Sequence, residues 1–308
     1  MKTLSRRKRI AIGAVAVLVG GALAFVFANR EKTRLRLSYP PGDVIVTTNV
    51  VYVNGSTNPK HRLDVYAPAR AANAPVVHFV HGGYWVEGDK DFHAFLTGLY
   101  GSVGMALAKK GIVTVVQSYR LAPEVTIEGT VDDVMAGLRW TEQHAAEHGG
   151  DAKRVFMVGH SAGGHLVALA GVDDALHTSR GMDPKAVRGY VPISAVWDVA
   201  EMSSEHGADF NERVTYRVFG RDPQTWSQWS PLPKLHAGMA PFFVMIGERD
   251  FPYMIPQADK AQKKLAELDP RSRYLVVPGH DHSAMVLDFG ASKDAVSGAI
   301  VDFVLRRD

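Results

Sequence analysis

The sequence predicts an α/β fold, a mostly parallel eight-stranded sheet with helices on both faces. Three observations predict it. Eight short runs rich in β-branched and aromatic residues recur along the chain, and helix-like patterns lie between most of the later ones. Runs such as Ala74–Val80 (APVVHFV) and 241–246 (PFFVMI) are apolar without alternation, as strands covered on both faces are. Finally, a strand-like run passes through glycines directly into a helix at residues 154–170, the signature of alternating strand and helix.

Taken in order, residues 43–53 and 62–66 read as two strands around the turn-like Asn54-Gly55-Ser56. Ala74–Val80 is the third strand and 112–116 (IVTVV) the fourth. Residues 131–148 are helix-like, with Val131, Val134, Met135, Leu138 and Trp140 near helical spacing. The fifth strand, 154–158 (RVFMV), leads into a helix over 162–170. Strands follow at 189–193, 241–246 and 274–277, with helical patterns at Met254–Leu268 and 291–305. The interval 197–230 breaks this rhythm. Its six aromatics, Trp197, Phe210, Tyr216, Phe219, Trp226 and Trp229, read as a cap inserted over a site and supplying pocket walls, or as short helices packed on the core.

The chain has 308 residues, 46% hydrophobic and 22% charged, which suits one globular domain with a large core. No repeat, low-complexity tract or Gly/Ser linker divides residues 31–308. Residues 1–30 stand apart. Lys2, Arg6, Arg7, Lys8 and Arg9 precede 10–28, a run of 19 residues without a charge. As a helix that run spans about 28 Å, close to the roughly 30 Å of bilayer hydrocarbon, and it exceeds the h-region of a secretory signal. It reads first as an uncleaved signal anchor holding the domain outside the cytoplasm, periplasmic or extracellular. A cleaved signal peptide and a buried helix are the other readings. Arg30, Lys32, Arg34 and Arg36 follow closely, so the positive-inside bias is slight.

Without the five basic residues of 1–28 the formal net charge falls from +3 to −2, so the folded part shows no nucleic-acid character. The absence of cysteine excludes disulfides, thiol catalysis and cysteine metal sites. Nothing in the sequence calls for a cofactor, and nothing fixes the oligomeric state.

Gly159-His160-Ser161-Ala162-Gly163 carries the chemistry. A serine between strand and helix with glycine two places either side matches the nucleophile elbow, which needs a sharp turn and close backbone approach. The amide of Ala162 then lies at a helix N-terminus, which favours a developing negative charge. The third strand empties into His81-Gly82-Gly83-Tyr84-Trp85, where glycines let backbone N–H groups of Gly82 and Gly83 face a ligand; a tight turn with a packed tryptophan is the plainer alternative. A serine needs a base, and the base needs an orienting acid. Asp250 follows the seventh strand, at the strand end where an open sheet places its ligands, with Glu248 a minor rival. The base lies in Gly279-His280-Asp281-His282. His280 and His282 could also be two metal ligands, but no third has suitable spacing. His160 and His165 orient or pack.

The strings His81-Gly82-Gly83-Tyr84-Trp85, Tyr119-Arg120-Leu121-Ala122-Pro123-Glu124 and Gly159-His160-Ser161-Ala162-Gly163-Gly164-His165 together resemble the α/β-hydrolase superfamily. Within it they are similar to the branch that joins hormone-sensitive-lipase-like esterases to kynurenine formamidases and feruloyl-esterase-like proteins. The resemblance covers about residues 40–306. It implies a Ser161–Asp250–His282 triad, with His282 preferred over His280 as base. It also implies an oxyanion hole of the Gly82, Gly83 and Ala162 amides, and a pocket near Tyr84, Trp85, His160 and Trp197. The chain departs from the lipase-like pattern at Tyr84, which replaces a third glycine, and in its N-terminal apolar run. Both tilt the reading toward a carboxylesterase acting on small to medium acyl esters. Arylformamidase is the alternative, and a non-catalytic, membrane-tethered binding module is the alternative of another class.

Overall fold

The computed structural model describes residues 43–91, 99–291 and 294–306. The apolar run 10–28 lies outside the described residues, and among these no helix is long and apolar enough to cross a membrane.

One eight-stranded sheet organises the molecule. Its strands are β1 (Val44–Val51), β2 (Arg62–Pro68), β3 (Ala74–Val80), β4 (Val113–Gln117), β5 (Gly150–His160), β6 (Val187–Ile193), β7 (Phe243–Arg249) and β8 (Arg273–Asp281). Their spatial order is β1-β2-β4-β3-β5-β6-β7-β8. β2 runs antiparallel to both β1 and β4, and the pairings from β4 through β8 are parallel. This is the α/β-hydrolase architecture that the sequence predicts. Every residue of β3 and β4 is buried, as their unbroken apolar runs require.

Helices cover both faces. On one side α1 (Leu99–Ala108) and α6 (Ala295–Leu305) pack with Val77, Phe79, Val116 and Val158 of the sheet. On the other lie α2 (Ile127–His144), α3 (Ala162–Val172) and α5 (Met254–Leu268), with α4 (Val199–Ser204) among the insertions. All eleven residues of α3 are buried, so its apolar character runs all round rather than along one stripe.

The differences from the sequence reading have local causes. α1 carries apolar residues on most sides and gives no 3.6-residue stripe, so periodicity does not mark it. β5 begins at Gly150, four residues before the expected start at Arg154, because its polar first residues still pair with β3 through Gly150 and Ala74. The helix expected over 131–148 starts at Ile127 and ends in a 3₁₀ turn, Ala145–His148, stopped by Gly149 at φ 77°. Between β6 and β7 the chain forms α4, further short turns of helix, a π-helical turn (Asn211–Thr215) and two 3₁₀ turns.

Candidate active site

Ser161 sits between β5 and α3 with φ 57° and ψ −119°, a conformation that residues with a Cβ rarely adopt. The strain is held by its neighbours. Its amide donates to Ile193 O of β6 at 2.9 Å, and its carbonyl accepts from His165 N at 2.9 Å. Gly163 shows why the elbow needs glycine: a Cβ there would lie 2.1 Å from Val80 O and 2.4 Å from His81 O. The elbow is thus pressed against the end of β3.

Asp250 and His282 meet at the carboxyl ends of β7 and β8. His282 Nδ1 donates to Asp250 Oδ1 at 2.8 Å, and in the neutral ring that tautomer makes Nε2 the acceptor. The other carboxylate oxygen accepts from Ser194 Oγ at 2.5 Å and from Gly247 N at 3.3 Å, and Phe251 N donates to Oδ1 at 2.8 Å. Burial alone would raise the Asp250 carboxyl, but the bond and charge of His282, with the Ser194 and Phe251 bonds, outweigh it and hold the group below the ordinary carboxylate range. The Phe251 ring stacks on the His282 imidazole at 4.3 Å between centroids.

His160, beside the serine, reaches the same loop. Its Nε2 donates to His282 O at 2.9 Å, and the two rings lie 4.7 Å apart. Burial, helped by the neighbouring His282, pushes its pKa down to about 3, so it is a neutral donor and not a second base. The two rival residues have other tasks. Glu248 accepts from Gly279 N at 2.7 Å, while His280 donates from Nδ1 to Pro278 O at 2.9 Å and faces Asp288 with Nε2. His280 and His282 therefore point to different partners and do not converge on one ion.

The loop after β3 is tightly built. Gly83 has φ 121°, and Tyr84 and Trp85 follow at 52° and 60°, two consecutive left-handed residues with side chains. Tyr119 of the Y-R-L-A-P-E string donates its hydroxyl to His81 O at 2.9 Å, and its ring stacks on His81 at 4.2 Å. Arg120 makes a bidentate pair with buried Asp133, at 2.8 and 2.6 Å, and so ties the string to α2. One expectation changes here. Gly82 N donates to Tyr100 Oη at 3.1 Å, so its amide is engaged by α1 instead of facing an incoming carbonyl.

The expected pocket residues divide. Tyr84 is half-buried and meets Phe210 of the β6–β7 insertion edge to face at 5.6 Å. Trp85 and Trp197 are 1% and 0% exposed: Trp85 packs edge-on against His165 and Phe219, and Trp197 lies beside Phe242. Both belong to the core beneath the insertion. His165 anchors that insertion by donating to Trp229 O at 2.6 Å.

Several residues around the site give no sequence signal. Ser194 and Tyr100 belong to no motif, and only the sheet order brings them to Asp250 and Gly82. Phe251, one residue past Asp250, is the one that proximity in sequence could have suggested. A separate cleft of about 930 Å³ lies at the opposite, amino ends of β5–β8, away from Ser161, and it plays no part in this arrangement.

Comparison with known proteins places the chain among relatives. The BD-FAE family profile matches residues 63–265. Esterase LipC of Mycobacterium tuberculosis is 32% identical over 242 residues, covering 75% of this chain and 58% of that protein. The probable isoprenylcysteine alpha-carbonyl methylesterase ICMEL1 of Oryza sativa subsp. japonica is 30% identical over 235 residues, 70% of this chain and 51% of that one. The chain thus spans between half and three fifths of the length of these two relatives. Among solved structures, esterase B of Lactobacillus rhamnosis superposes with a TM-score of 0.70 at 22% identity, over 95% of both chains. A hyperthermophilic esterase from Pyrobaculum calidifontis gives 0.69 at 21%, over 98% of this chain and 97% of that one. The family match, over more than half of the chain, and the fold together establish that this chain belongs to the BD-FAE family of the α/β-hydrolase superfamily.

Proposed function

We propose that this chain is a serine carboxylic ester hydrolase that works through Ser161, His282 and Asp250 on esters with small to medium acyl groups. The observation that carries the reading is the 2.8 Å bond from His282 Nδ1 to a buried, anionic Asp250, formed at the strand ends beside a strained Ser161. That bond fixes the tautomer in which Nε2 can accept a proton. The esterase names of LipC and the two structural neighbours support the same class.

In the proposed reaction Ser161 Oγ bonds to the ester carbonyl carbon as its proton passes to His282 Nε2. The amides of Gly83 and Ala162 receive the oxyanion, each donor being worth about 3–4 kcal/mol in the transition state. The intermediate collapses by breaking the bond to the alkoxy oxygen, which takes the proton from His282 and leaves as the alcohol. Water then attacks the acyl-enzyme, gives a proton to His282, and releases the acid as Ser161 recovers its hydrogen. Tyr84 and Phe210 narrow the approach, which favours short acyl chains over long ones. The uncharged run 10–28 is the proposed membrane tether.

The test is hydrolysis of p-nitrophenyl acetate, butyrate and octanoate by the full chain in detergent, beside N-formylkynurenine. Ester turnover that falls from butyrate to octanoate supports the reading. Preference for N-formylkynurenine reassigns the chain to arylformamidase chemistry, and turnover of none of these points to a binding module.

A further inference from the structure

His282 follows a stretch of β8 where the strand ladder is irregular. Val277 lies opposite Gly247 and Asp281 opposite Arg249, so β8 uses four steps where β7 uses two. The chain therefore bulges just before the base, with Gly279 turning inside the bulge at φ 70°. The bond to Asp250 sets how the imidazole rotates. It acts on the side chain and not on the main chain that carries it.

That main chain has a support of its own. The carbonyl of His282 accepts from His160 Nε2 at 2.9 Å, across 122 residues of sequence. His160 ends β5, and both β6 and β7 stand between its strand and β8. Its backbone pairs with Ile193 of β6, and the residue is only 5% exposed. On its other side it presses on the loop after β3: a Cβ added to Gly82 would lie 3.3 Å from His160 Nδ1 and 3.0 Å from His160 O. The ring is thus wedged between Gly82 and the base. The wedge carries a cost. Donating from Nε2 leaves Nδ1 as an acceptor, and that buried nitrogen has no partner among the described residues. An unpaired buried nitrogen is unfavourable, and a phenylalanine would fill the same space without one. Packing alone therefore does not account for an imidazole here; its Nε2–H does.

We propose that His160 is a positioning residue, a strut that holds the main chain of His282 so that the base stays within reach of Ser161. The proposal rests on the reading of Ser161, His282 and Asp250 as the hydrolytic triad. His160 supplies no proton and meets no substrate. It acts through the carbonyl of the base, from a central strand whose own backbone is fixed on both sides. Loss of one buried hydrogen bond is worth up to about tenfold in a rate or an opening equilibrium.

The experiment compares His160→Phe with His160→Gln in the full chain. Phenylalanine keeps the bulk and removes the donor, whereas glutamine carries an amide nitrogen as many bonds from Cβ as Nε2 is. Kinetics on p-nitrophenyl butyrate and hydrogen exchange at 279–287 are read side by side. His160→Phe is expected to lower kcat about tenfold with KM within about twofold, and to speed exchange there about tenfold. His160→Gln should restore most of both, and the urea midpoint of His160→Phe should equal the parent's or exceed it. Unchanged kcat and exchange in His160→Phe overturn the proposal. A fall in kcat that follows a lower urea midpoint in both variants also overturns it, because that marks a merely structural role. If His160→Phe does not fold, His160→Asn, whose amide nitrogen stops one bond short, takes its place with the same expected kinetics and exchange. Exchange is measured without substrate. A parent chain that turns over no ester therefore defeats the proposed function, while exchange still decides whether His160 holds the base loop.

Discussion

Ser194 and His282 divide the Asp250 carboxylate between them, the hydroxyl on Oδ2 at 2.5 Å and the imidazole on Oδ1 at 2.8 Å. Ser194 also stands at φ 50°, so the end of β6 is strained in order to present that hydroxyl. A bond to a charged group contributes about 1.5–3 kcal/mol, and part of this reaches the base through its partner. Ser194→Ala is expected to lower kcat about tenfold with little change in KM, because no substrate contact is lost. Steady-state kinetics on p-nitrophenyl butyrate check it; a change confined to KM refutes the positioning role.

Ser161→Ala removes the proposed nucleophile without removing a fold contact, since the elbow is held by main-chain bonds to Ile193 and His165. Turnover should drop by at least about 10³-fold, with the thermal midpoint equal to the parent or higher. Retained turnover would falsify the mechanism.

Gly163→Ala tests the elbow from the other side. Its Cβ would enter the 2.1 Å gap to Val80 O, and neither backbone can yield without moving β3. A loss of about 3 kcal/mol or more is expected, seen as a lower urea midpoint. Gly298→Ala in α6 is the control, because a Cβ there meets nothing within 4 Å; it should be neutral or slightly stabilising. Equal midpoints for the two variants contradict the packing argument.

Stability should fall with acid before the carboxylates titrate. Burial lowers His78, His81 and His165 to about 4 and His160 to about 3. Unfolded histidines take up protons below about pH 6.5 while these folded ones do not. Their contribution is therefore complete above that pH and is lost as pH falls from about 6.5 toward 4, at up to about 1.4 kcal/mol per pH unit for each. Urea midpoints between pH 7.5 and 5 measure this. A midpoint that is flat over that range excludes neutral burial of the four.

Much of the site is legible in the chain because its chemistry is local. Ser161 has glycines beside it, and Asp250 and His282 each follow a run that reads as a strand without any partner in view. What sequence leaves open depends on which strands are neighbours. Ser194 reaches Asp250 because β6 and β7 are adjacent, and Tyr100 takes the Gly82 amide because α1 lies under β3 and β4. Trp197 misleads for a related reason: an aromatic in an irregular interval suggests a pocket wall, but burial against Phe242 makes it core. The amide of Gly82 shows the same limit, since a glycine marks where a donor can point and not what it already binds.

β8 borders the described sheet on one side only, so the 2.8 Å bond between His282 and Asp250 joins an edge strand to its inner neighbour β7. Ser161, in contrast, stands at the end of β5, with paired strands on both sides. A local opening that peels β8 from β7 would therefore part the imidazole from the carboxylate while the turn that carries Ser161 stays closed, so the edge of the sheet is where the site can come apart without the fold doing so.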